Sequence, residues 1–76
     1  MRTATFKSYE NGYYTFWFDN GEELAFEEVH PRVLSQFDLK NDEKYIDQEF
    51  KIVFVEVPDN KDEDLVIYRV QSLKPL

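Results

Sequence analysis

The sequence predicts a mainly β domain, a small five-stranded, antiparallel-rich barrel with one short helix. Three observations predict it. Residues 3–9, 13–18 and 22–29 form short β-type runs, each separated from the next by an acid-Asn-Gly triplet. A short helical run led by Pro31 follows, with Val33, Leu34 and Phe37 in one apolar stripe. Two longer β runs, 50–57 and 65–73, complete the chain around a polar turn. The order of elements is β-β-β-α-β-β.

The two triplets, Glu10-Asn11-Gly12 and Asp19-Asn20-Gly21, decide which side chains share a face. A two-residue Asn-Gly turn is one reading; a three-residue loop closed by a glycine in the left-handed region is the other. With three-residue loops, Phe6 lies opposite Phe16, Ala4 opposite Phe18 and Ser8 opposite Tyr14. Phe16 then faces Leu24, and Tyr14 faces Phe26. The best core candidates gather on one face, whereas a two-residue turn sets both Phe6 and Leu24 against Trp17. The three-residue reading is therefore taken for both loops. It turns Tyr14, Phe16 and Phe18 inward and Tyr9, Tyr13 and Trp17 outward.

Pro31 suits the first position of a helix, and His30 before it is biased to extended geometry. Val29 and Leu34 fit a hydrophobic staple. A helix of about two turns is expected to plug one end of the sheet. In the polar connection 39–48, Leu39, Tyr45 and Ile46 are expected to fold inward. Pro58 and residues 59–64 form the last turn.

Three meandering strands, a short helix and a hairpin resemble the OB-fold, the oligonucleotide/oligosaccharide-binding barrel. The resemblance spans the chain and rests on element order, lengths and faces, with no family motif. It implies a closed or partly open five-stranded barrel, capped by the helix between strands three and four. It also implies that ligands meet the outer face of strands two and three and the loops 1–2 and 4–5. An SH3-like small barrel is the alternative.

At 76 residues the chain is one domain, 1–76, and buries only about 60–65% of its unfolded surface, so most large apolar side chains belong to the core. There is no cysteine, hence no disulfide or thiolate metal site. No signal peptide or membrane-spanning run is read, and a cytoplasmic protein is expected. Sixteen acidic against nine basic residues give a net charge of −7, which repels phosphate backbones and anionic membranes.

Two candidate binding surfaces emerge. Tyr9, Tyr13 and Trp17 would make an outer aromatic strip beside Lys7. Stacking on such rings contributes about 1–3 kcal/mol per base, but Glu23 and Glu27 border the strip and disfavour nucleic acid. The structural alternative is a cross-strand Tyr9–Tyr13 pair, with Trp17 half covered by the tail or the helix. In the run 50–57, Phe50, Ile52 and Phe54 fill one face while Val53, Val55 and Val57 line the other. That second row needs a cover, either the C-terminal residues 73–76 or another molecule.

The acidic run 59–64 fails as a Ca²⁺ loop in both alignments, since Leu65 and Gln71, or Lys61, occupy ligand-critical positions. His30 reads as the helix-start residue, with no base-plus-orienter arrangement around it. No cofactor or metal is expected, and the protein is not read as an enzyme. The expected function is a small acidic module that contacts a protein or peptide, as a monomer or weak homodimer. The alternatives are an OB-type binder of single-stranded nucleic acid and an acidic mimic of nucleic acid that inhibits a DNA-binding protein.

Overall fold

A computed structural model describes residues 2–59, 61–62 and 64–76. Six strands and a helix follow in the order β1 (Arg2–Glu10), β2 (Tyr13–Phe18), β3 (Glu23–Phe26), β4 (Glu28–Val29), α1 (Pro31–Gln36), β5 (Glu49–Pro58) and β6 (Val66–Pro75). They form one mixed sheet ordered β3-β2-β1-β5-β6-β4. The mainly β class read from the sequence is the one observed. Asn60 and Glu63, within the predicted turn 59–64, lie outside the described residues.

The predicted third run is split in two. A bend at Glu27 ends β3, which pairs antiparallel with β2, and starts β4, which pairs parallel with β6. No ladder joins β3 to β4, so the sheet is not closed. Its two edge strands are nonetheless consecutive in the chain, with only Glu27 between them.

The first hairpin differs from expectation at its tip. Asn11 (φ 53°) and Gly12 (φ 84°) both occupy the left-handed region and make a two-residue turn, with Glu10 opposite Tyr13. Asn-Gly favours this turn because its twist matches that of the strands. The ladder then shifts between Phe6 and Ser8. That bulge absorbs one residue and restores Phe6 opposite Phe16 and Ala4 opposite Phe18. Turn chemistry and core packing are both satisfied, and the expected three-residue loop is replaced.

The second loop is as expected. Gly21 (φ 90°) donates its N–H to the Phe18 carbonyl at 3.0 Å, and Phe18 N–H donates to the Glu22 carbonyl at 2.7 Å. Phe16 faces Leu24 and Tyr14 faces Phe26.

The core is built on phenylalanine. Phe6, Phe16, Phe26 and Phe50 are fully buried with Val33, Ile52 and Val70. Phe16 meets Phe6 at 5.2 Å and Phe26 edge-on at 5.7 Å between ring centroids. Such arrangements add about 0.5–1.5 kcal/mol each beyond area burial.

The helix closes one end. His30 caps it by accepting the Arg32 N–H on Nδ1 at 3.0 Å. Val33 enters the core, and the Phe37 ring meets Phe50 at 5.3 Å and Tyr45 at 5.6 Å. In the connection to β5, Leu39 is buried and Tyr45 packs against the core, as expected. Ile46, expected inside, is 44% exposed. A 3-10 turn, Glu43–Tyr45, precedes it, and its tight winding does not let two successive residues face the same core.

Strand β6 runs beside β5 from Phe50–Pro75 to Pro58–Val66. Residues 73–76 therefore do not fold over the valine row; Leu73 and Lys74 extend the strand instead. Strand β1 flanks β5 only from Glu49 to Ile52. Beyond Ile52, β5 and β6 continue without β1, with β4 still beside β6 at Arg69 and Val70; past Val55 and Arg69 they run on as a two-stranded arm.

Candidate interaction surfaces

The predicted aromatic strip is divided by the bulge in β1. Tyr9, expected outward, instead lies opposite Tyr14 with the rings 4.5 Å apart, and packs against the core. The physical reason is parity, since one extra residue at Lys7 exchanges the faces of everything between it and the turn. Tyr9 therefore pairs with Tyr14, and the expected Tyr9–Tyr13 pair is absent.

Tyr13 and Trp17 do point outward. Trp17 is 51% exposed, and the Lys7 ammonium lies 4.5 Å from its ring centroid. That ammonium is also paired with the Asp47 carboxylate, and Glu23 lies opposite Trp17 on β3. The Lys7 cation is thus already paired with a carboxylate, and another carboxylate borders the ring. The surface is an exposed indole clamped by its own neighbours.

The second surface is the arm. Val53, Val55 and Val57 follow one face, opposite Ser72, Arg69 and Ile67 on β6. Val55 is exposed, and Val53 and Val57 are half-buried. No described residue covers the row. On the other face, the Phe54 ring reaches back to Phe18 at 5.7 Å and Phe26 at 5.2 Å, with Tyr68 at 5.9 Å. Those contacts root the arm in the core. Towards the tip, Leu65 and Val66 are 55% and 57% exposed.

Leu65, Val66 and Tyr68 were not singled out from the sequence. The signal was available in 65–68, four apolar residues in succession without alternation, directly after an acidic turn. Among the described residues, Val66–Tyr68 pair with β5 alone, so an unalternating run there leaves apolar surface exposed.

The charges around these surfaces are largely held by internal partners. Arg69 binds Glu28 at 2.8 Å and ties β6 to β4. Arg2 binds Glu22 at 3.2 Å, and the Asn20 side chain also donates to Glu22. Those two hydrogen bonds, Asn20 first, hold the Glu22 carboxyl below its usual range. Burial raises the Tyr14 phenol, partly offset by the nearby Lys40 ammonium. A groove of about 500 Å³ beside α1 is lined by Tyr14, Glu28, His30, Leu34, Lys40 and Arg69, with Arg69 already engaged by Glu28. Among the described residues, no group of three or more His, Cys, Asp or Glu could hold a metal ion. Among them too, no helix is long and apolar enough to cross a membrane.

The chain matches no protein-family model, and no curated protein or solved structure matches it.

Proposed function

We propose that this protein is a small protein-binding module whose contact surface is the β5–β6 arm. The observation that carries the reading is that β5 and β6 run on past β1 and expose apolar side chains on both faces, Val55 on one and Val66 and Tyr68 on the other, with Leu65 at the tip. A 76-residue domain needs its large apolar residues for the core, and these four lie outside the buried cluster. Exposed apolar surface rimmed by charge favours protein contact over nucleic acid, and the rim carries Glu56, Asp59, Asp62 and Asp64. The Trp17 face ranks second, because Lys7 and Asp47 already occupy it. The reading is of a binder without catalysis, since His30, the one histidine, is used as a helix cap.

The test is retention of proteins from a cell extract by immobilised wild type, Val66→Asp and Trp17→Ala. Loss of a bound protein with Val66→Asp, and its retention with Trp17→Ala, is the expected pattern. Equal retention by all three would contradict the proposal.

A further inference from the structure

The backbone of the arm indicates how a partner would bind, taking the arm as the contact surface. At one end of β5, the Gln48 carbonyl accepts the Phe6 N–H, so this backbone group faces β1. At the other end, the Asp59 N–H donates to the Leu65 carbonyl across the hairpin at 2.9 Å. Backbone groups in a strand alternate sides, and the shift in the β5–β6 ladder places its extra residue, Gln71, on β6. Even-numbered residues of β5 therefore face the β1 side, and odd-numbered ones face β6. Beyond Ile52 no described strand lies on the β1 side. The N–H and C=O groups of Phe54 and Glu56 thus form a free edge, with the Pro58 carbonyl beyond them. On the opposite side, β4 pairs with β6 at Arg69 and Val70, and the Phe26 and Tyr68 rings meet at 6.3 Å. Among the described residues, the edge of β5 beyond Ile52 is open.

A second copy fits this edge poorly. Antiparallel self-pairing centred on Val55 exchanges hydrogen bonds between Phe54 and Glu56 of the two copies. It also sets Pro58 of one copy beside Ile52 of the other, where Arg2 already pairs. Shifting the centre to Glu56 avoids that overlap but places two Glu56 carboxylates directly opposite each other, and like charges there destabilise. Both copies also carry a net charge of −7.

We infer that the open edge of β5 takes up an extended, basic segment of a partner protein as an added strand. Backbone hydrogen bonds to Phe54 and Glu56 would supply the pairing. The valine row would accept apolar side chains on one face of the added strand. Glu56, Asp59 and the acidic turn select lysine or arginine on the segment. Pro58, with no N–H to offer, ends the pairing and limits the segment to a few residues.

The test is amide NMR of the whole protein titrated with a short acetylated peptide alternating lysine and valine. The expected result is perturbation centred on residues 54–57, weakened several-fold by added salt. Glu56→Pro removes an N–H that faces the open edge, and is expected to cost about tenfold in affinity, one hydrogen bond to a charged-rimmed site. Glu56→Gln keeps that N–H and is expected to bind within a few-fold of wild type. As a control independent of folding, a peptide N-methylated at alternate residues along its pairing edge is expected not to bind wild type. Perturbation of Leu65, Val66 and Tyr68 that survives Glu56→Pro would overturn strand addition and leave the arm as the contact surface. Perturbation confined to Tyr13 and Trp17 would overturn both. Concentration-dependent self-association abolished by Glu56→Pro would identify the occupant as a second copy and overturn the basic-segment assignment.

Discussion

The β1–β2 hairpin and the β5–β6 hairpin are made from similar residues and have opposite fates. The first holds Phe6, Phe16 and Phe18 inside, with further strands on both sides. The second begins in the same way at Phe50 and Ile52, then outruns its neighbour β1 and exposes valine, leucine and tyrosine to solvent. Composition does not separate them. What separates them is how far the adjacent strand reaches, which determines whether an apolar face becomes core or contact surface.

The sharpest way to break this comparison is to truncate one side chain in each region. Phe16→Ala is expected to cost about 3–5 kcal/mol, a large share of the roughly 4–11 kcal/mol available to a domain of this size. Thermal unfolding followed by circular dichroism should show little folded protein near physiological temperature. Gly12→Ala should cost about 1–2 kcal/mol. A Cβ there meets nothing within 4 Å, so the cost is backbone strain at φ +84° alone. A smaller loss by urea denaturation would mean that the first hairpin tolerates a different turn. Val66→Asp should lower stability by less than about 1 kcal/mol in the same experiment, while abolishing partner retention. A core-sized loss at Val66 would erase the distinction between the regions.

A gentler probe is pH. The folded state raises the Tyr14 phenol, so burial favours its neutral form. The unfolded chain then releases this proton first as pH rises. The stabilisation is intact below pH 10.0, the ordinary tyrosine value, and is lost as pH climbs through the higher folded value. Stability measured across that window should fall, and Tyr14→Phe should reduce the fall.

The inward half of the aromatic row was legible in the sequence because face parity and apolar pattern agree at Phe6, Phe16, Phe18 and Phe26. Tyr9 was misplaced because two local rules compete there. Asn-Gly prefers a two-residue turn, the core needs Phe6 against Phe16, and the bulge at Lys7 reconciles them without any mark in the pattern. The split of 22–29 at Glu27 left a trace that the alternating reading overlooked, since Leu24 and Phe26 keep one phase while Glu27-Glu28 shifts Val29 to the other, where the chain changes partner from β2 to β6. Val53 and Val55 were found because a second apolar face on one strand is visible in sequence. Leu65, Val66 and Tyr68 were passed over because an unbroken apolar run reads equally as a buried strand, and only the sheet order shows that β4 stands beside β6 no further than Arg69.

Hydrogen exchange of individual β5 amides tests the central claim most directly. With the arm free on its β1 side, the Phe54 and Glu56 amides should exchange far faster than those of Val55 and Val57, which face β6. Equal protection of all four would show that the edge is already covered, and would contradict the account of the arm as an open contact surface.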